Sequence, residues 1–195
     1  TGFLQNAIQI VYGGKETGKS LIENRPEKIH FTGSVETGKK IMEHASKYLI
    51  PVDLELGGKD AAIVFEDVNI ERTANGIMWG AFTNCGQSCT SIERVYVHQK
   101  IYDSFINALT DKISKLKYSS GTRNYLSPDD CDIGCMTTMS QVKKVEDHLS
   151  DAILKGAKIQ PQSKRNNNTL HIPPTLLTDV NHQMKIMTEE TFGPV

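Results

Sequence analysis

Short apolar runs and segments of helical spacing alternate along the first 57 residues, and this alternation limits the possible folds more than any other feature. Strands are predicted at residues 7–12, 28–32 and 52–56. A short helix through residues 20–22 and a second helix over residues 41–49 lie between them. Parallel strands need a connection of about a dozen residues, usually a helix. The order of elements therefore predicts an α/β fold with a parallel sheet.

The rest of the chain repeats this alternation. Buried strands are predicted at residues 61–65 and 94–97, with a helix over residues 70–82 between them. Two amphipathic helices follow, at residues 101–116 and 142–153. A last short strand follows Pro174, and polar loops are predicted around Pro128 and at residues 163–168. We therefore expect a second α/β layer and a domain boundary between residues 57 and 58.

Composition and charge exclude several classes of function. With 22 basic and 23 acidic side chains, the net charge of -1 gives no positive field that would attract nucleic acid or an anionic membrane. No run approaches the roughly 18 apolar residues of a membrane-spanning helix. A hydrophobic content of 38% supports a buried core. We expect a soluble, cytoplasmic chain, and its start at Thr1 in mid-pattern suggests an internal fragment.

One motif points to nucleotide chemistry. Residues 13–20 match the phosphate-loop pattern G-x4-G-K-S, follow a predicted strand and precede a predicted helix. Backbone N–H groups and Lys19 would hold phosphates, and Asp67 would hold magnesium. This reading predicts a P-loop nucleotide hydrolase or kinase. A glycine- and lysine-rich turn without a ligand is the simpler alternative.

Four cysteines form two C-x3-C pairs, Cys85 with Cys89 and Cys131 with Cys135. This spacing is compatible with a four-cysteine zinc site. A cytosolic chain of this size needs no disulfides for its stability. We therefore predict free thiols and no metal site.

Two segments of the first domain could take part in catalysis or binding. Gly33 and Ser34 form a turn at the start of a predicted helix, where N–H groups and the helix dipole suit a pyrophosphate; a plain helix cap is the alternative. Glu55 ends a strand predicted to be buried, between Leu54 and Leu56. Burial would raise the pKa of its carboxyl and make it a base near neutral pH. A Glu55 that faces solvent and pairs with a lysine is equally compatible with the pattern.

Two segments of the second domain complete the set. Cys89 follows a turn at the end of a predicted helix, a position that can expose a thiolate and use the backbone N–H of Cys89 to hold an oxyanion. A buried structural cysteine is the alternative. Glu190 and Phe192 lie two residues apart, so both side chains would point to the same side of an extended segment.

Together and in this order, the four segments resemble the aldehyde dehydrogenase superfamily over the whole chain. The segments are F-T-G-S at residues 31–34, L-E-L-G-G-K at 54–59, G-Q-S-C at 86–89 and E-E-T-F-G-P at 189–194. The resemblance implies an enzyme that oxidises an aldehyde to a carboxylic acid with NAD or NADP, through a cysteine thiohemiacetal and a thioester. It also implies that residues 13–20 are a connection within the cofactor domain and not a phosphate site.

The resemblance implies a role for each matching residue. Cys89 is the nucleophile and Glu55 the base that activates water. The cofactor would contact Gly33 and Ser34 at its pyrophosphate, Glu190 at its nicotinamide ribose and Phe192 at its nicotinamide end. The substrate pocket would be lined by Ser88 and Thr90.

The resemblance further implies two Rossmann-like open-sheet layers and a homo-oligomeric full-length protein. Residues 1–57 would be the C-terminal part of the NAD(P)-binding domain, and residues 58–195 a catalytic domain incomplete at its C-terminus. The family's chain is more than twice as long, so we expect the isolated chain to have little or no activity. Cys135 departs from the family, which usually has proline there. A catalytically silent member is the remaining alternative, although Cys89 and Glu55 are both present.

Overall fold

The computed structural model describes residues 7–117, 131–160 and 169–195, and these form two compact units, Thr1–Gly57 and Gly58–Val195. The helices are α1 (Lys15–Glu23), α2 (Val35–Ser46), α3 (Ile70–Phe82), α4 (Tyr102–Ser114), α5 (Met139–Leu154) and α6 (Lys185–Thr188). The strands are β1 (Ile29–Gly33), β2 (Val52–Leu56), β3 (Ala61–Val64), β4 (Arg94–Val97), β5 (Lys158–Gln160) and β6 (Leu176–Thr178). The predicted polar loops at Pro128 and residues 163–168 lie outside the described residues.

The first unit is a parallel strand pair with two helices. β1 pairs with β2 in parallel, from Ile29 opposite Val52 to Gly33 opposite Leu56. A small core of Ile22, Ala45 and Ile50 holds α1 and α2 in this unit. The predicted α/β order of β1, α2 and β2 is therefore confirmed.

Two predictions of secondary structure fail in this unit. Residues 7–12 form no strand, and the side chains of Ile8 and Tyr12 are 78% and 88% exposed. In the described part of the chain β1 is paired only with β2, so this apolar run has no neighbouring strand to bond. Leu49 was expected on the core face of a helix, but α2 ends at Ser46 and Leu49 adopts a left-handed φ of 57°. Ile50 occupies the buried position instead.

The main core of the second unit is formed by three helices and the parallel strand pair, and a smaller cluster includes Ala152, Met184 and Met187. β3 pairs with β4 in parallel, while β5 and β6 form an antiparallel pair. The core includes Ala74 and Ile77 from α3, Phe105 and Leu109 from α4, and Val142 from α5. In α4 and α5 these residues lie on the apolar face that the sequence periodicity predicted.

Strand β3 is less buried than the sequence predicted. Val64 is 3% exposed, but Ile63 is 69% exposed, and Phe65, just after the strand, is 63% exposed. Alternate residues of a strand point to opposite faces, and in this unit the core covers only the face that carries Val64. No helix in the described ranges is long and apolar enough to cross a membrane.

The core position of Phe105 generates a first prediction. Phe105 is completely buried, whereas Trp79 is 73% exposed. Phe105→Ala should lower the free energy of unfolding by about 3–5 kcal/mol, because it removes a buried ring and leaves a cavity. Trp79→Ala should change it by less than about 0.5 kcal/mol.

Urea unfolding of the 195-residue chain, followed by far-ultraviolet circular dichroism, measures both changes. Circular dichroism is preferred to fluorescence because Trp79 is the single tryptophan. Equal effects of the two substitutions would contradict the placement of α4 in the core.

Candidate active site

Helix α3 and the turn after it set the position of Cys89. Asn69 caps the N-terminus of the helix, its side chain accepting a hydrogen bond of 3.0 Å from the Arg72 N–H. After Phe82 a short 3-10 turn runs from Thr83 to Gly86. Three consecutive residues at its end, Asn84, Cys85 and Gly86, adopt left-handed φ angles of 54°, 59° and 66°. This reversal turns the chain out of the helix, immediately before the segment that carries Cys89.

Hydrogen bonds within the turn, and from the turn to the segment that precedes α5, hold this loop in place. Asn84 Nδ2 donates to the Gln87 carbonyl, and the Gln87 N–H donates to the Asn84 carbonyl. Gln87 Oε1 accepts from both the N–H and the hydroxyl of Thr137, at 2.8 and 2.9 Å. Gln87 Nε2 also donates to the Cys135 carbonyl at 3.4 Å. Gln87 therefore anchors the loop two residues before Cys89.

The structure separates the two cysteines of this loop. Cys85 is 2% exposed, and its Sγ lies 3.7 Å from the Met136 sulfur. Burial raises the pKa of the Cys85 thiol to about 12, with smaller contributions from Cys135 and Cys131. Cys89 is exposed. Only Cys89 of this pair is therefore open to a substrate.

Ser88 and Thr90, expected beside the substrate, lie on either side of Cys89 and bond to each other. Their hydroxyls are 3.1 Å apart, and the Thr90 N–H donates to Ser88 Oγ at 3.3 Å. The Ser91 hydroxyl is buried and donates to the Gly80 and Ala81 carbonyls. The segment that carries Cys89 is thus held by α3 on one side and leaves Cys89 at the surface.

The segment at residues 189–194 lies against the same loop. Gly86 has a left-handed φ of 66°, and a Cβ built there would lie 2.2 Å from the Gly193 carbonyl oxygen. Glycine therefore allows two backbones, more than 100 positions apart, to come into contact. The cysteine loop and the E-E-T-F-G-P segment, predicted separately, are brought together here.

In this segment Glu190 has a shifted pKa and Phe192 has an unusual backbone conformation. Burial is the main cause that raises the pKa of the Glu190 carboxyl, although a hydrogen bond from the Gly58 N–H opposes the shift. Phe192 has a left-handed φ of 53°, so the expectation of an extended segment is wrong at this residue. The N–H of Phe192 donates to a buried carboxylate that is distant in sequence, and this bond accompanies the left-handed conformation.

That carboxylate belongs to Glu93, which the sequence analysis missed. Its oxygens accept hydrogen bonds from the N–H groups of Thr191 and Phe192, at 2.8 and 2.9 Å. Lys59 Nζ lies 2.5 Å from Glu93, and the two side chains are 7% and 3% exposed. Lys59 also donates to the Thr191 hydroxyl at 2.8 Å. The one available signal was a charged pair, Glu93 and Arg94, at the start of an apolar strand.

Further contacts complete this buried polar cluster. His148 is 1% exposed, and its Nδ1 lies 3.1 Å from the Thr191 hydroxyl. Burial, followed by the positive charge of Lys59, lowers the pKa of His148. Gln141 Nε2 donates to the carbonyls of Thr191 and Phe192, at 2.6 and 3.2 Å. The backbone around Thr191 is therefore held through both its donors and its acceptors.

In the first unit, Gly33 and Ser34 stand at the N-terminus of α2. Ser34 is the N-cap, and its hydroxyl oxygen accepts from the Thr37 N–H at 3.2 Å. The cap lies where β1 ends, at the carboxyl edge of a parallel strand pair. The first-turn N–H groups of a helix have no partners within the helix and favour an anion.

The sequence left two alternatives open for Glu55, burial or exposure to solvent. In β2 the exposed residues are Asp53 and Glu55, while Leu54 and Leu56 are partly buried. Strand alternation turns the Glu55 carboxylate to the open face of this unit, which agrees with the solvent-facing alternative and not with burial.

The structure does not support the phosphate-loop alternative for residues 13–20. Helix α1 already begins at Lys15, so most of the motif is helical. The Gly18 N–H donates to the Gly14 carbonyl and is not available to a phosphate. Lys19 Nζ lies 3.8 Å from Glu23 on the next turn. The described residues before the motif, 7–12, are irregular and form no strand.

All four cysteines are free thiols. Among the residues that the structure describes, no group of three or more His, Cys, Asp or Glu side chains is arranged to hold a metal ion.

The close approach of Gly86 to Gly193 generates a second prediction. Gly86→Ala should lower the free energy of unfolding by about 2 kcal/mol or more, because Ala is strained at positive φ and its Cβ would overlap the carbonyl. Gly76→Ala is the matched control, since nothing lies within 4 Å of a Cβ there and the site is in α3. It should stabilise by about 0.5–1 kcal/mol. Urea unfolding distinguishes the two, and a tolerated Gly86→Ala would contradict the described contact.

The chain is similar in sequence to known aldehyde dehydrogenases. The aldehyde dehydrogenase family model matches residues 1–195. The 4,4'-diapolycopene aldehyde oxidase of a Methylomonas species is 41% identical over 188 residues, covering 96% of this chain and 34% of that protein. Betaine aldehyde dehydrogenase 1 of Oryza sativa subsp. japonica is 37% identical over 201 residues, covering 100% of this chain and 38% of the relative.

Solved structures show the same fold. The crystal structure of succinate-semialdehyde dehydrogenase from Burkholderia pseudomallei matches with a TM-score of 0.89 and 33% identity, over 99% of this chain and 40% of that one. Betaine aldehyde dehydrogenase from Staphylococcus aureus, solved in complex with NAD+, matches with a TM-score of 0.80 and 31% identity, over 91% of this chain and 35% of that one. The chain spans between a third and two-fifths of the length of these relatives. The predicted resemblance and fold class are confirmed, and the chain belongs to the aldehyde dehydrogenase family.

Proposed function

We propose that the full-length protein containing this chain oxidises an aldehyde to a carboxylic acid with NAD+ or NADP+, with Cys89 as the nucleophile. Residues 1–57 are part of its NAD(P)-binding domain and residues 58–195 part of its catalytic domain. The contrast between the two loop cysteines supports this proposal most directly. Cys89 is exposed, whereas Cys85 is buried with its pKa raised to about 12. The anchored loop therefore offers one usable thiol.

The protein's own residues carry the covalent steps. The Cys89 thiolate adds to the aldehyde carbon, so that a carbon–sulfur bond forms and the carbonyl oxygen becomes an oxyanion. The Cys89 N–H is a donor to that oxygen. After oxidation, the acyl group remains on Cys89 as a thioester. Glu55 then takes a proton from a water molecule that attacks the thioester, releasing the acid and restoring the thiolate.

The described residues fit the cofactor that the family uses. Bound NAD+ or NADP+ supplies the hydride acceptor. The α2 N-terminus, capped by Ser34, offers N–H donors and a positive dipole end to the pyrophosphate. The Glu190 carboxylate is an acceptor for ribose hydroxyls, and Phe192 supplies an aromatic surface for the nicotinamide end. We also propose that Ser88 and Thr90 line the substrate pocket. The full-length protein is proposed to be a homo-oligomer.

The cysteine assignment generates a third prediction. In the full-length protein, Cys89→Ala should lower aldehyde-dependent reduction of NAD+ or NADP+ by about a thousandfold or more, because the covalent pathway is lost. Cys85→Ala is the matched control and should retain activity within about threefold, since a buried core thiol takes no part. Absorbance at 340 nm with a panel of aliphatic, aromatic and acidic aldehydes measures both.

Equal losses in the two cysteine variants would contradict the assignment of Cys89. A wild-type protein that turns over no aldehyde of the panel would instead favour the silent family member.

The role of Glu55 generates a fourth prediction, which needs no cofactor. An activated aryl ester should acylate Cys89 directly and give the same kind of thioester. In Glu55→Gln, release of the first equivalent of aryl alcohol should persist, while steady-state hydrolysis falls by about a hundredfold or more, because only deacylation needs the base. Asp53→Asn, on the same exposed face of β2, is the control and should change neither phase. Loss of the first phase in Glu55→Gln would contradict a role limited to deacylation.

A further inference from the structure

We propose that Glu93 is a positioning residue for the nicotinamide end of the cofactor, which it serves by holding Glu190 and Phe192 in place relative to Cys89. The inference rests on the proposed function. Glu93 touches neither reacting atoms nor cofactor in this assignment, and it acts through the backbone of residues 191–192.

The contacts of Glu93 are those of a buried clamp. Its two carboxylate oxygens accept the N–H groups of two successive residues, Thr191 and Phe192, at 2.8 and 2.9 Å. Two adjacent N–H groups point to one side only when the chain departs from extended geometry, since an extended strand turns successive N–H groups to opposite edges. The left-handed φ of 53° at Phe192 provides that departure. The carboxylate thus stabilises the unusual turn between Glu190 and Phe192.

The negative charge of Glu93 is balanced by a neighbouring lysine. Lys59 Nζ lies 2.5 Å away and also donates to the Thr191 hydroxyl at 2.8 Å. Arg94 holds the backbone of Lys59 by donating from Nε and Nη2 to the Lys59 carbonyl. Every oxygen of Glu93 is therefore satisfied while the side chain is only 3% exposed.

The position of Glu93 in the chain connects the clamp to the nucleophile. Glu93 follows Cys89 by four residues, at the entry to β4, and its N–H donates to the Asp60 carbonyl at 3.1 Å. The Gly86–Gly193 contact joins the same two segments on the other side of Cys89. The nucleophile segment is therefore attached to the 189–194 segment at two points, and only Glu93 supplies charge-assisted hydrogen bonds. Its carboxylate sets where Glu190 and Phe192 lie with respect to the thiol.

The test is cofactor binding by the full-length protein. Glu93→Gln retains the size of the side chain but replaces one acceptor by a donor, so at least one N–H at residues 191–192 loses its partner. The Kd for NAD+ or NADP+, measured by calorimetry, should rise about tenfold or more, because a lost hydrogen bond to a charged group is of that size. Ester hydrolysis through Cys89 should remain within about threefold of wild type. Glu71→Gln, on an exposed glutamate of α3, is the control and should change neither quantity.

A second variant separates positioning from the cost of a buried, unpaired Lys59. The double variant Lys59→Met with Glu93→Gln removes both charges and should recover folding stability. Its Kd should remain raised, because the N–H groups of Thr191 and Phe192 still lack the carboxylate. Recovery of wild-type affinity in the double variant, or an unchanged Kd in Glu93→Gln, would overturn the inference. Loss of ester hydrolysis in parallel with the Kd change would also overturn it, since that marks a general structural role.

The outcomes also separate this inference from the proposed function. Wild-type protein that binds NAD+ or NADP+ but oxidises no aldehyde contradicts the proposed function alone, and the Kd comparison still decides the role of Glu93. Wild-type protein that binds neither dinucleotide contradicts both.

Discussion

The second unit depends on one buried carboxylate with a complete set of partners. Burying a charge is costly unless it is paired and hydrogen-bonded, and Glu93 meets both conditions through Lys59 and two backbone N–H groups. Removing the Glu93 carboxylate would leave a buried ammonium and two backbone N–H groups without this acceptor. Lys59, Glu93 and Thr191 are therefore in contact at one place, although they are distant in sequence. The polar groups of Gln141 and His148 extend the same cluster to α5.

Backbone conformation provides the second constraint around Cys89. Three left-handed residues in succession turn the chain sharply after α3, and only the last of them is glycine. Asn84 tolerates such angles better than most residues and bonds locally to Gln87. Cys85 is held there by the surrounding core, with Met136 against its sulfur. Hydrophobic packing of Cys85 and exposure of Cys89 are thus two results of one turn.

The sequence predicted most of the fold because its signals are local. The bounds of β2, α3 and β4 agree with the hydrophobic patterns, and Ser34 caps α2 at the predicted turn. The strand predicted at residues 7–12 is absent because a strand also needs a neighbouring strand to pair with, and an apolar run does not show whether one is present. The P-loop motif was misleading because a sequence match does not show that the Gly18 N–H already donates to a carbonyl within a helix. Glu93 was missed since its partners lie 98 and 99 positions away.

The contact of Gly86 with Gly193 has a consequence for chimeric enzymes of this family. The cysteine loop is an attractive module to exchange between relatives, because it is short and carries the proposed nucleophile. Its backbone, however, is shaped against a carbonyl from a distant segment, with no side chain between the two. A transplanted loop would meet a different surface unless residues 189–194 came with it. The two segments form a single structural unit, and recombination points placed between them would separate two backbones that are in contact.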